Sequence, residues 1–241
     1  MTQVKSSSDN NFMLGLFVCI GLIVMGYLIA GGIVEFKQMD RSVLVKGLAE
    51  REVPADIAIW PIQFIEVSND LPTLYATIPQ KTKIIVDFLK ENGFTEDEIS
   101  TSTPTIEDRQ AQGYYDAEKV KYRFANSTTV TVYTHKIDKV LESMNHIIEL
   151  GKRGITLSGN NYNTRTQFIF SNLNDIKPAM IEEATKNARE VAVKFANDSQ
   201  SKLGKIKSAN QGQFSISDRD SNTPHIKTVR VVTTLEYYLS D

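Results

Sequence analysis

One cysteine, one tryptophan and three histidines are few for a chain of 241 residues, and each scarcity closes off some chemistry. Cys19 sits inside an apolar run, so the rest of the chain has no thiol for a disulfide, a zinc site or nucleophilic attack. His135, His146 and His225 fall at a strand end, on a helix and in a polar loop, without the spacing of a metal site, so no metal is expected. There is no G-x-G-x-x-G after a strand, no G-x-x-x-x-G-K-[ST], no G-x-S-x-G and no H-E-x-x-H. No catalytic residue or cofactor is therefore expected, and the chain is not read as an enzyme. A basic excess is also lacking: the formal net charge is -2, and charges of both signs are interspersed from Lys37 to Asp241, which argues against nucleic acid as a partner. Low-complexity tracts and Pro/Gly/Ser-rich boundaries are absent too, which predicts one continuous folded region rather than two swinging domains.

What is present begins with FMLGLFVCIGLIVMGYLIAGGIV, Phe12 to Val34, 23 residues without a charge. As a helix it spans about 35 Å against roughly 30 Å of hydrocarbon. Its 13 Leu, Ile, Val and Phe residues favour insertion by about 4 to 8 kcal/mol as an upper bound. Ala30-Gly31-Gly32 would suit a signal peptidase, but the run is already 18 residues long at Ile29, whereas a signal core is about 7 to 15. An anchor is expected, and Val18 before Cys19 argues against lipidation. The domain reading is a tail at 1–11, an anchor at 12–34, a connector at 35–41 and a folded region at 42–241. Counting flanking cations, Lys5 against Lys37, Arg41, Lys46 and Arg51 places the folded region in the cytoplasm. That rule weakens when a long domain follows the span. Gly26 and Ala30 share the small-xxx-small spacing of helix pairing, which alone is a weak signal.

With 41% hydrophobic and 23% charged residues, the chain as a whole is of ordinary globular composition. Val43, Val45 and Gly47 alternate as a strand, Arg51 to Asp56 reads as a turn, and IAIWPIQFIEV reads as a strand covered on both faces. Pro61 within it marks an edge or a bulge. Leu71, Leu74, Tyr75, Ile78, Ile85, Phe88 and Leu89 form the stripe of a first helix, kinked at Pro79 and ended by Gly93. A meander from Thr101 to Thr134 turns near Gly113 and Asp116 and ends on STTVTVYT. A second helix is predicted over Ile137 to Leu150, closed by Gly151, then strands near Ile155 to Tyr162 and Arg165 to Phe170. A third helix runs from Ile176 to Leu203, stopped by Gly204. The closing strand, Lys227 to Leu239, puts Val229, Val231, Thr233, Leu235, Tyr237 and Leu239 on one face. The fold class is α+β: antiparallel sheets, three main helices and a hint of a duplicated strand–helix–strand unit in Ile57 to Thr103 and Gln167 to Ile216, after one transmembrane helix.

Ala184, Ala188, Ala192 and Ala196 make a ridge of small side chains on the third helix, against which the chain's own sheet or a neighbouring subunit packs. Tyr114 and Tyr115, in the tip of a long hairpin, are the second candidate interface. Trp60, Phe64, Tyr237 and Tyr238 fit sheet core or subunit contact better than a ligand cleft. Glu96-Asp97-Glu98 reads as a solvated loop, since consecutive carboxylates do not converge as in a calcium loop.

The order of Val45-Lys46-Gly47, Pro54 and Asp56, then LKENGFTEDEIST, ANSTTVTVYTHKIDKVLESMNHIIELG, Phe168, EEATKNAREVAVKFANDSQSKLGKI and VRVVTTLEYYL resembles the SIMPL-domain family of mostly exported bacterial proteins. The resemblance covers about 200 residues. Ala55 separates Pro54 from Asp56, where the family often has them adjacent, and the apolar segment looks retained. The resemblance implies an α+β fold, an envelope or periplasmic location, self-association into large or ring-like assemblies and loose links to stress responses. It implies no catalytic residues. The resulting expectation is an inner-membrane, single-pass protein with its C-terminal domain in the periplasm, acting as a non-enzymatic homo-oligomeric scaffold or binding platform whose protein partner is not specified. A motif-free enzyme or small-molecule binder and a ring-like channel are the alternatives.

Overall fold

The computed structural model describes residues 8–39, 41–111, 120–159 and 164–240. The first element, α1 (Ser8–Met39), contains the one stretch among the described residues that is long and apolar enough to cross a membrane, Leu14–Gly31, none of it buried within the chain. The helix continues to Met39, through most of the stretch expected as connector, because Glu, Lys, Gln and Met are good helix formers.

The strands and helices after α1 begin with β1 (Ser42–Pro54), β2 (Ile57–Ser68), α2 (Leu71–Glu91), β3 (Ile99–Thr101), β4 (Thr105–Asp108), β5 (Phe124–Thr134), α3 (Ile137–Asn145) and α4 (Ile148–Lys152). They are followed by β6 (Gln167–Ile169), α5 (Leu173–Asp198), β7 (Lys202–Gln211), β8 (Ser215–Asp218) and β9 (Ile226–Ser240). One sheet has the order β1-β9-β7, with β8 also on β9; the other has the order β3-β5-β2-β6, with β4 also on β5. The pairs β2–β5, β2–β6, β3–β5, β4–β5 and β7–β9 are antiparallel. This is the α+β architecture expected from the alternation of strand and helix patterns. The strand–helix–strand order does recur, but β2 and β3 lie in one sheet whereas β6 and β7 lie in different ones.

The chain forms two compact units, Met1–Ala49 with Pro178–Phe214 and Arg230–Asp241, and Glu50–Lys177 with Ser215–Val229. In the first, Val45, Ala188, Ala192, Leu235 and Tyr237 form a buried cluster, with Val43 and Leu203 against it. In the second, Trp60, Ile62 and Phe64 of β2, Leu74, Ile85, Phe88 and Leu89 of α2, and Val130 and Val132 of β5 are among the core residues. β2 alternates between buried and half-buried positions, so neither face is open, as its nearly continuous apolar run requires.

Several boundaries differ from the sequence reading. β1 runs through Arg51 to Pro54, leaving only Ala55 and Asp56 as the turn. Tyr75 is exposed, although it shares the helical period of Leu74 and Ile78. The second helix breaks in two: the His146 N–H donates to Ser143 O and the Glu149 N–H to His146 O, a tighter three-residue pattern. Ser143 Oγ donates to Lys139 O at 2.7 Å, a bond that competes with the helix ladder and favours bending. Gly151 therefore lies inside α4, and the left-handed position that follows is Gly154, φ +81. The third helix stops at Asp198, where Gln200 takes φ 54 and the Ser201 N–H donates to Ala196 O, so Leu203 and Gly204 belong to β7. The expected turn at Gly113 and Asp116 lies outside the described residues, as does the end of the Ile155 to Tyr162 strand, whose described part forms a bridge from Leu157 to Phe64.

Candidate functional site

Among the described residues, none pairs with Pro61 on the side of β2 away from β5. The neighbour of β2 on that side is β6 along Ile57 to Ile59, and the segment at 156–158 farther on, where the Ser158 N–H donates to Gln63 O and the Ile65 N–H to Thr156 O. The polar groups of Gln63 and Ile65 thus point away from β5. Pro61 has the same strand parity and stands opposite Thr131, so its ring nitrogen and its carbonyl face the gap. Among the described residues no ladder bond is asked of residue 61 on that side, so a residue without an N–H is tolerated there, although β2 is an inner strand of its sheet and its register with β5 runs through Pro61 without a bulge.

A cavity of about 300 Å3 opens at this gap, lined by Trp60, Pro61, Ile62 and Gln63 from β2 and by Met144 and Ile147 from either side of the α3–α4 break. Among the described residues, Leu157, Ser158, Gly159, Thr164 and Thr166 also line it. None of these side chains is ionisable. The cavity was missed in the sequence because its walls come from three separated stretches and depend on a helix break that no apolar period signals.

A second cleft, about 370 Å3, lies between Pro54, Ala55 and residues 135–139, with His225. It joins two histidines 90 positions apart that sequence reading kept separate. His135 Nδ1 lies 2.8 Å from the carbonyl oxygen of Asp56, an acceptor, so that nitrogen carries the proton. His225 packs edge-on to Phe168, and its buried Nδ1 has no partner. Lys136 turns to Glu98 and Gly93 O. Among the described residues no group of three or more His, Cys, Asp or Glu side chains could hold a metal. His146 is exposed at the end of α3.

The perturbed carboxylates serve the fold. Burial would raise the Glu98 carboxyl, but Lys136 Nζ at 2.8 Å, Thr134 Oγ1 at 2.5 Å and the Thr95 N–H at 2.8 Å outweigh it and hold the group at about 2. Glu96 pairs instead with Lys90, so the acidic run does not converge. Asp56 is lowered in the same way: burial opposes, and the hydroxyl and N–H of Ser171, at 2.6 and 2.8 Å, prevail.

The alanine ridge of α5 is buried, and it packs on β1 of its own unit: a Cβ on Gly47 would come within 1.9 Å of Ala184 O and 2.8 Å of Ala188 Cβ. Tyr114 and Tyr115 lie outside the described residues. Trp60 and Phe64 are core, Tyr237 is buried and Tyr238 is exposed. Ser42 Oγ donates to Glu236 at 2.6 Å, which puts the even-numbered residues of β1 and β9 on one side of their sheet, opposite the buried odd-numbered set. That side carries exposed Leu44 (66%), Leu48 and Tyr238. Phe195 (56%) and Val191, four apart on α5, are exposed on the same unit.

Residues 43–236 match the family described as SIMPL, protein of unknown function (DUF541). This chain belongs to the SIMPL family. The match begins at β1 and takes in every element through most of β9, leaving α1 outside it. Over 124 residues, 46% of this chain, the sequence is also 27% identical to dynein regulatory complex subunit 4 of Danio rerio. That overlap covers 25% of the relative, so the chain spans about a quarter of its length.

Proposed function

We infer that this SIMPL protein is a non-enzymatic, membrane-anchored platform that self-associates in the cell envelope, with α1 in the inner membrane and the family domain in the periplasm. The observation that carries the reading is the set of apolar side chains exposed on the unit that contains the anchor: Leu44, Leu48 and Tyr238 on the sheet face turned away from α5, and Val191 and Phe195 on α5. Only residues 40 and 41 separate α1 from β1, so copies embedded in one membrane are confined to a thin layer, which raises their effective concentration. Apolar side chains exposed on a unit held in this way are suited to contact between neighbours. The alanine ridge is occupied within its own unit, so in this reading Val191 and Phe195 beside it, with the Tyr114–Tyr115 stretch, supply the contact. A link to envelope stress rests on what the family resemblance implies.

The test is the absolute mass of the full-length protein in mild detergent, by light scattering, with Leu44→Glu and Phe195→Glu beside it. A discrete oligomer that the variants dissociate is expected, and a monomeric wild type overturns the platform reading. Protease accessibility in spheroplasts tests orientation: digestion of the domain from outside is expected, and protection until lysis reverses the placement.

A further inference from the structure

We propose that the cleft along the free edge of β6 is a binding site for a small monocarboxylate, received by Lys227 and Arg165.

This third cleft, about 330 Å3, takes in five consecutive residues, Arg165 to Ile169, so the edge of the strand itself forms its wall; Asp218, Pro224 and Lys227 of the same compact unit also line it. β6 ends the order β3-β5-β2-β6. The polar groups of Ile57 and Ile59 share the parity of Gln63 and Ile65 and turn to β6, so their partners Ile169 and Gln167 face β2, and the Asp56 N–H donates to Ile169 O. The N–H of Phe168, between them, is therefore directed to the free edge.

Lys227 is the decisive group. It is 7% exposed, an ammonium carries three donors, and its one hydrogen bond among the described residues goes to Asp218 Oδ1. Two donors of a buried cation thus have no acceptor among the described residues, on a side chain that lines the cleft. Arg165 approaches Asp218 at 3.6 Å with no hydrogen bond among the described residues, and its side chain is 63% exposed. Its planar fork is free to grip a carboxylate through two parallel bonds.

The charge of the lining sets the charge of the ligand. Two cations stand against one carboxylate, a net of +1, and residues 160–163, which lie outside the described residues, are Asn-Asn-Tyr-Asn and add no charge. One negative charge balances the site. A carboxylate is acceptor-only, with about four lone-pair sites. Lys227, Arg165 and the Phe168 N–H are donors, and the Thr166 hydroxyl and Gln167 amide of the lining can donate as well. Asp218 is already engaged by Lys227. Backbone acceptors on the same edge are neutral and leave the sign of the site unchanged. Phe168, Ile169 and Pro224 supply apolar wall, and the volume, at the small end of ligand sites, suits an acid with one ring or a short branched chain.

Benzoate is the probe, added to the full-length protein in detergent and followed by the isoleucine methyl signals. The Ile169 methyl, in the cleft, is expected to move saturably, while that of Ile85, fully buried beneath α2, stays. Benzamide, which has the same ring without the charge, binds about ten- to a hundredfold more weakly, the worth of hydrogen bonds to a charged group. Lys227→Met keeps the bulk of the side chain and the fold, and abolishes saturation. Arg165→Gln, at an exposed position, weakens benzoate about tenfold with the thermal midpoint unchanged, and it carries the test should the methionine variant not fold. A linear response, equal affinity for benzamide, or wild-type affinity for benzoate in either folded variant overturns the proposal.

Discussion

Gly47 of β1 lies so close to Ala184 of α5 that a Cβ on the glycine would stand 1.9 Å from the Ala184 carbonyl oxygen and 2.4 Å from the Ala188 nitrogen. Both obstacles are helix backbone, which cannot swing aside as a side chain can. Gly47→Ala is therefore expected to lower stability by about 3 kcal/mol or more, at the upper end of overpacking costs. Ala184→Gly in the same chain does not rescue it, because the clash is with the carbonyl and the new glycine adds about 1 kcal/mol of helix cost. Urea denaturation of the single and double variants measures both.

The charge on Glu98 ties the turn after α2 to the start of α3, through Thr95, Thr134 and Lys136. The folded carboxyl is held at about 2 against an ordinary value of 4.5. A depressed carboxyl contributes stability that is fully present above the unfolded value and is lost as pH falls toward the folded one. Glu98→Gln is thus expected to cost about 1 to 3 kcal/mol at pH 7. The gap between wild type and variant narrows from about pH 4.5 downward and closes near pH 2. Denaturation midpoints for the pair across that range test the sign: a gap that widens in acid is inconsistent with this role.

Much of this fold was legible because the burial is periodic. In β9 the residues from Val229 to Tyr237 expected on one face are buried at alternate positions, and β5 carries the STTVTVYT pattern into the middle of its sheet. Where apolar residues satisfy two patterns, the boundaries moved. Leu203 fits the period of α5 as well as the alternation of β7, and the ending is decided by Gln200, a left-handed position that no glycine marks. The break at His146 was hidden because Ile147 and Ile148 keep the helical stripe going. Both clefts escaped for the same reason: His135 and His225, or Pro61 and Ile147, come from stretches distant in sequence that only the tertiary fold brings together.

Lys227 is almost fully buried on β9 and is paired with Asp218 of the adjacent β8, while Arg165 approaches the same carboxylate at 3.6 Å. Removing the acid leaves a buried cation uncompensated. Asp218→Ala is expected to cost about 3 to 5 kcal/mol, whereas Lys227→Met, which removes the charge but keeps the bulk, is close to neutral. Thermal midpoints of the two variants separate these outcomes; equal losses would mean that the aliphatic stem of Lys227 matters more than the ion pair.

Pro61 and Ile62 are neighbours on β2, yet their substitutions are expected to differ in both size and cause. Ile62 is 2% exposed, faces the core and stands opposite Val130, so Ile62→Ala costs about 2 to 5 kcal/mol in lost burial and cavity formation. Pro61→Ala removes a restraint on the unfolded chain, worth about 0.4 to 1 kcal/mol, and adds an N–H that points into the gap, where it finds no ladder partner among the described residues. A small loss is therefore expected. Were Pro61 instead hidden within a continuous ladder, the new N–H would gain a hydrogen bond and the alanine variant would be the more stable protein. The sign of that one change, read from urea midpoints, decides whether the edge of β2 is open where the cavity lies.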